Sequence, residues 1–133
     1  MPFWCLFPEP VNSSVYHQIN ITKTWFNAQN YCRTHFTDLV SIRNDEQNKA
    51  VFEMKSHTDP TWIGLIGDSW EWSDGGLSGY RDWSGDTPND GNMAYLSTNG
   101  WDTDRQPTNE RAYFCYKGIY LNICRLYAND IPH

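Results

Sequence analysis

Eight carboxylates, Asp68, Glu71, Asp74, Asp82, Asp86, Asp90, Asp102 and Asp104, fall between residues 68 and 104, where Arg81 is the only opposing cation. Carboxylates at this density suit a cation or a hydroxyl-rich ligand, and their field repels phosphate polymers and anionic membrane surfaces. Nucleic acid is therefore not an expected partner. The same charge pattern also fits a solvated polar loop. Asp102 and Asp104 could be imagined as the carboxylate pair of a glycoside hydrolase, but nothing around them in the sequence would raise a pKa. Asp86, Asp90 and Gly91 match the first, fifth and sixth positions of a calcium-binding loop. Pro88 at the third and Ser97 at the twelfth, where a bidentate Glu belongs, spoil that match. Gly76-Leu77-Ser78-Gly79 runs into Tyr80 rather than the Gly that a nucleophile elbow needs. No His-Glu-x-x-His or phosphate loop is present. These residues predict binding, not catalysis.

The elements that must position them are legible in outline. A chain of 133 residues is long enough for one domain with a real core. Seven Trp, eight Tyr and six Phe outnumber Val, Ile and Leu together, and each buried ring removes about 150–250 Å² from water. The core is therefore expected to be built from rings: Trp62, Trp70, Trp72, Trp83 and Trp101 read as core, and Tyr80, Arg81 and Tyr95 as loop side chains able to stack on a ligand. Thr24 is an N-cap candidate for a helix with Trp25, Ala28 and Cys32 on one face. A second helix starts at Asn44, with Gln47 completing a variant capping box, Asp45 and Glu46 complementing the dipole, and Ala50, Val51 and Met54 as the buried stripe. Short strands are expected at Tyr16 to Ile19, Leu39 to Ile42, Thr61 to Leu65, Trp70 to Trp72, Met93 to Leu96 and Ala112 to Tyr116. Eight of the nine glycines lie from Gly64 to Gly100, so that stretch is mostly loop. The pattern is α+β in a single domain, residues 1–133, without internal repeats. No apolar run approaches the roughly 20 residues of a membrane span, so membrane insertion is not expected, and Phe3 to Phe7 is too short for a signal-peptide core.

Four cysteines, Cys5, Cys32, Cys115 and Cys124, with sequons at Asn12-Ser13-Ser14 and Asn20-Ile21-Thr22, favour an oxidising, extracellular setting. Asn12 and Asn20 are then glycosylation candidates. A zinc site is the weaker reading, because no two cysteines are spaced Cys-x-x-Cys and the four histidines are scattered. Four cysteines allow three connectivities.

Several segments now line up: Trp25-Phe26-Asn27-Ala28-Gln29-Asn30-Tyr31-Cys32, Asp38-Leu39-Val40-Ser41-Ile42, Trp62-Ile63-Gly64-Leu65, Trp70-Glu71-Trp72-Ser73-Asp74-Gly75, Trp83, Pro88-Asn89, Gly100-Trp101 and Phe114-Cys115. In order and spacing they resemble a C-type lectin-like domain, over about residues 14 to 116. The resemblance implies two helices packed on short antiparallel sheets, with a long loop region carrying the ligand site. It also implies that Cys32 is tied to Cys115, and that the Gly of the core strand lets aromatic side chains pack closely. Cys5 would then pair with Cys124, beside an extra apolar C-terminal tail over 117–133. An intermolecular bridge and a homodimer are the alternative.

The resemblance further implies a calcium-dependent sugar site, and here the residues depart from the family pattern. Thr87-Pro88-Asn89 stands for Glu-Pro-Asn, Asn92 for the intervening acidic residue, and Trp101-Asp102-Thr103 for Trp-Asn-Asp. Calcium takes 6–8 oxygen ligands and gains affinity with their charge, so Thr87 and Thr103 weaken such a site. The small inner disulfide of the family is replaced by residues at about Ala94 and Gln106. Ligand contacts are thus expected from Thr87, Asn89, Asp90, Asn92, Asp102 and Asp104. Asn89, Asp90, Asp102 and Asp104 are the metal candidates should calcium bind. The expected function is extracellular recognition of a glycan or glycoprotein without the family's usual calcium site; the alternative is a protein-binding domain with no sugar site.

Overall fold

Thr24 breaks the first strand into the first helix. Its Oγ1 accepts from the Asn27 N–H at 3.3 Å, which satisfies one of the free donors at the helix start. The computed structural model describes residues 14–55, 59–85 and 91–118. Within them the order is β1 (Ser14–Lys23), α1 (Trp25–His35), β2 (Asp38–Leu39), α2 (Asp45–Met54), β3 (Thr61–Ile66), β4 (Glu71–Trp72), β5 (Met93–Ser97), β6 (Gly100–Asp104) and β7 (Arg111–Gly118). Cys5, Cys124, Asn12, Thr87, Asn89, Asp90 and the tail beyond Gly118 lie outside the described residues.

The described strands form one mixed sheet in the order β1-β7-β3-β5-β6, with β2 beside β7 and β4 beside β3. The expected short antiparallel sheets are thus joined, because β3 and β7 pair in parallel through Thr61 with Ala112 and Trp62 with Tyr113. Successive residues of these central strands point to opposite faces, so each strand feeds two cores. Trp62 and Tyr113 pack with Trp25, Ala28, Cys32 and Leu39 beneath α1. Ile63 and Phe114 pack with Val51, Leu96 and Trp101 on the other face. The ring-built core expected from composition is present, with Trp25, Trp62, Trp101, Tyr113 and Phe114 all fully buried.

Cys32 on α1 is bonded to Cys115 on β7, 83 positions later in the chain. In the chain-entropy treatment a bridge closing so long a loop contributes about 4–5 kcal/mol. It locks α1 to the strand that contacts β1, β2 and β3. The Trp25 indole adds a second tie, donating from Nε1 to the Ile63 carbonyl at 2.8 Å.

Three expectations need correction. The buried stripe of α2 is Gln47, Asn48 and Val51, while Met54 is 46% exposed. The helix docks through hydrogen-bonding side chains rather than through a purely apolar face. Gln47 is also not a true capping-box partner: Asn44 Oδ1 accepts from the Gln47 N–H at 2.8 Å, but Gln47 Oε1 returns to the N–H of Arg43, one residue before the cap. The glycine of β3 serves backbone rather than rings. A Cβ on Gly64 would lie 2.9 Å from the Val40 carbonyl oxygen and 3.1 Å from that of Leu39, and the Gly64 N–H donates to that same Val40 carbonyl at 2.8 Å. We expect Gly64→Ala to push these strands apart and to cost about 1–3 kcal/mol. Urea unfolding should show this as a lower midpoint with an unchanged slope.

Candidate functional site

The long loop between β3 and β5 is held against the sheet by rings and by one carboxamide. Trp101 on β6 is fully buried and meets Trp72, Tyr80 and Trp83 edge-on, at centroid distances of 5.7, 5.8 and 5.9 Å. Trp83 in turn contacts Trp70 at 5.0 Å. Edge-to-face pairs of this kind add about 0.5–1.5 kcal/mol each beyond their burial. The backbone follows: Trp101 donates its N–H to Asp82 O at 2.7 Å, and its carbonyl accepts from the Ser84 N–H at 2.8 Å. Gly100 makes this approach feasible. Its φ of 131° is in the region favoured by glycine, and a Cβ there would lie 2.7 Å from Asp82 O.

Asn48 on α2 completes the clamp. Its Oδ1 accepts from Trp101 Nε1 at 2.9 Å, and its Nδ2 donates to Asp82 Oδ2 at 2.8 Å. Sequence reasoning missed this residue, although a polar side chain at core-facing spacing beside Gln47 and Val51 is the signal for it. Tyr80 and Arg81, read from the sequence as loop side chains that either pin the loop or stack on a ligand, are engaged with the protein. The Tyr80 hydroxyl donates to Asp45 Oδ1 at 3.2 Å. The Arg81 guanidinium donates to the carbonyls of Ser78, Tyr80 and Trp70 and lies 5.6 Å above the Trp72 ring.

Of the six expected ligand residues, Asn92, Asp102 and Asp104 lie within the described residues: Asp102 and Asp104 share one face of β6, and Asn92, just before β5, meets Asp104 through the backbone. Asn92 is exposed; its N–H donates to Asp104 O at 3.1 Å, and its carbonyl accepts from the Gly67 N–H at 2.8 Å. Asp102 is half-buried opposite Tyr95 in the ladder and accepts from the N–H of Thr103 at 2.7 Å. Burial, followed by the charge of Asp102 beside it, raises the Tyr95 hydroxyl above the ordinary tyrosine value. The Tyr95 hydroxyl is hydrogen-bonded to the Asp102 carboxylate.

Asp104 is committed to this chain. Its Oδ2 accepts from Arg111 at 2.6 Å and from Asn109 Nδ2 at 2.9 Å, and its Oδ1 accepts from the Gln106 N–H at 2.9 Å. Arg111 itself lies 4.2 Å from the Tyr95 centroid and 5.0 Å from that of Trp62. Burial raises the Asp104 carboxyl, but the hydrogen bonds from Asn109, the Gln106 N–H and Arg111 outweigh it and hold the group below the usual carboxylate range. That direction is opposite to what a general acid needs. Arg111 had no local signal in the sequence.

The described donor set does not fit calcium. Both oxygens of Asp104 are taken, with a guanidinium at hydrogen-bond distance. The Thr103 hydroxyl, at the position of a family carboxylate, is buried without a partner. Among the described residues no three His, Cys, Asp or Glu side chains group in a way that could hold a metal.

The family model for the lectin C-type domain matches residues 21–117. The chain belongs to the C-type lectin domain family. It is 32% identical over 117 residues to human lymphocyte antigen 75, matching 81% of this chain and 7% of that protein. It is 30% identical over 105 residues to mouse CD209 antigen-like protein A, matching 71% of this chain and 44% of that protein. The chain thus spans less than half the length of either relative. The carbohydrate-recognition domain of the mouse scavenger receptor C-type lectin shares the fold, with a TM-score of 0.74 at 20% identity over 83% of this chain and 94% of that one. These relatives place the chain among recognition modules, and no helix in the described residues is long and apolar enough to cross a membrane.

In this C-type lectin domain the Asp104 clamp has a measurable pH signature. The folded state holds the Asp104 proton less tightly than the unfolded chain, whose value lies near 3.9. The stability it supplies is complete above about pH 4 and is lost as pH falls through the lower folded value. Asp104→Asn is expected to cost about 1–3 kcal/mol at pH 7. Urea midpoints measured at pH 7 and pH 2.5 should show the gap from the parent chain narrowing at the lower pH.

Proposed function

We propose that this C-type lectin domain is an extracellular recognition module that takes a glycan or glycoprotein at the loop end of the β5–β6 hairpin, without a calcium ion between protein and ligand. The observation that carries this reading is the capture of Asp104 by Arg111 and Asn109, with Thr103 where a carboxylate would be needed. Asp102 stands opposite Tyr95 in the ladder, its carboxylate accepting from the Thr103 N–H and hydrogen-bonded to the Tyr95 hydroxyl; its remaining lone pairs are what this reading offers to a ligand, with the exposed Asn92 just before β5. A carboxylate and a carboxamide accept and donate to sugar hydroxyls, and a half-buried tyrosine offers a flat apolar face to the C–H side of a pyranose. Thr87, Asn89 and Asp90 belong to the same proposal as contacts from the long loop. Asp104 supports the site by fixing Arg111 against Tyr95. No step of catalysis is part of this reading.

A specific observation favours a second reading, in which the partner is a protein. Leu77 is 98% exposed beside a groove of about 410 Å³ lined by Trp70, Glu71 and Trp72, an arrangement suited to an apolar side chain of a partner.

A glycan array probed in calcium and again in chelator separates these. The expected result is the same set of sugars bound in both buffers, with binding lost in Asp102→Ala. Sugar binding confined to the calcium buffer would overturn the metal-free reading. An array with no signal in either buffer would move the assignment to a protein partner.

A further inference from the structure

The sequon Asn20-Ile21-Thr22 coincides with an irregularity in β1. Ile19 lies opposite Tyr113 and Lys23 lies opposite Arg111, so β1 advances four residues while β7 advances two. The three residues without a cross-strand partner are Asn20, Ile21 and Thr22, and all three are exposed. A bulge of this kind bends its strand and re-aims the side chains it carries. Exposure of Asn20 matters, because a glycan attached to its carboxamide is then accommodated by the folded chain without displacing packed side chains. Ile21 at the middle position is not proline, as the sequon requires.

Beside the bulge lies a groove of about 430 Å³ whose lining includes Gln18, Asn20, Thr22, Asp59, Pro60 and Arg111. It combines the amides of Gln18 and Asn20 and the carboxylates of Asp59 and Glu110 with the ring of Pro60, a mixture of hydroxyl partners and apolar surface that a sugar ring uses. It is lined at one end by the carboxamide that would carry that sugar.

We propose that Asn20 is an N-glycosylation site presented by the β1 bulge, and that the first sugar attached to it lies in this groove. In the transfer, Asn20 Nδ2 forms a bond to the anomeric carbon of an oligosaccharide carried on a lipid pyrophosphate. The bond between that carbon and the pyrophosphate oxygen breaks, the lipid pyrophosphate leaves as an anion, and the amide gives up one proton. The glycan also stands on a strand that, among the described residues, is paired on one side only. An exposed strand edge of this sort is a pairing hazard that a bulky polar group blocks. The site does not depend on the ligand reading above.

The test is secretion of the full chain from a eukaryotic cell behind an appended signal peptide, followed by peptide mass spectrometry. A glycan mass is expected on the peptide containing Asn20, absent in Asn20→Gln and in Thr22→Ala, and retained in Thr22→Ser and Asn12→Gln. Secreted parent protein with an unmodified Asn20 would overturn the proposal. Trimming the glycan to its single innermost sugar should leave a Tm about 2–4 °C above that of Asn20→Gln. Equal Tm values for the two would overturn the seating of that sugar in the groove.

Discussion

The carboxamide of Asn48 joins three parts of the chain that are far apart in sequence: α2, the long loop and β6. It accepts from the Trp101 indole and donates to the Asp82 carboxylate, so neither buried polar group is left unpaired. An unpaired one would cost about 1–3 kcal/mol. Once Trp101 is fixed, Trp72, Tyr80 and Trp83 have a surface to pack against, and the glycine-rich loop acquires a defined course. The loop is rich in turn residues and poor in regular strand, so it has few ladder bonds of its own. Its order comes from this borrowed support.

A second constraint stands where the family resemblance leads one to expect a small disulfide. Ala94 is fully buried and Gln106 is exposed, and neither can form a covalent bridge. The connection from β6 to β7 is instead closed by Asp104, which gathers the Gln106 N–H, the Asn109 amide and the Arg111 guanidinium. Arg111 is shared with the rings of Tyr95 and Trp62, so the ion pair also fixes the ring beside Asp102. One carboxylate thus replaces a crosslink and, in doing so, is withdrawn from the ligand set. The two departures from the family pattern, lost cysteines and lost metal ligands, have a common physical account.

The parts of this arrangement that were legible in the sequence are those set by local rules. Thr24 and Asn44 cap helices because their side chains reach N–H groups three residues on. Trp25, Ala28 and Cys32 share a face because helical spacing requires it. The α+β class follows from the pattern of elements, while the pairing of Cys32 with Cys115 is implied only by the family resemblance. What was not legible depends on partners distant in sequence or on geometry that spacing does not encode. Asn48 carries no local signal of its role, because its partners are 34 and 53 positions away. Met54 was assigned to the buried stripe because apolar character was taken to mark the docking face, whereas α2 docks through amides. Asp104 reads in the sequence as a ligand and metal candidate, since nothing in the run from Asp104 to Arg111 announces that the turn folds a guanidinium back onto it. Gly64 was assigned to ring packing, and only the approach of the Val40 carbonyl reveals its actual neighbour.

An acidic loop is therefore a different thing from a calcium site. The carboxylates that cluster in sequence are divided in space: Asp82 serves Asn48, Asp104 serves Arg111, Asp74 accepts from the Tyr116 hydroxyl, and Asp102 accepts from the Thr103 N–H and pairs with the Tyr95 hydroxyl. A metal that bound only the folded chain would raise its stability by mass action, about 2.7 kcal/mol at a hundredfold excess over Kd. The most direct measurement is a calorimetric titration of calcium into the chelator-stripped protein, paired with its Tm at the final millimolar concentration. The account predicts no heat beyond dilution and an unchanged Tm. A saturable heat accompanied by a rise of several degrees would contradict it.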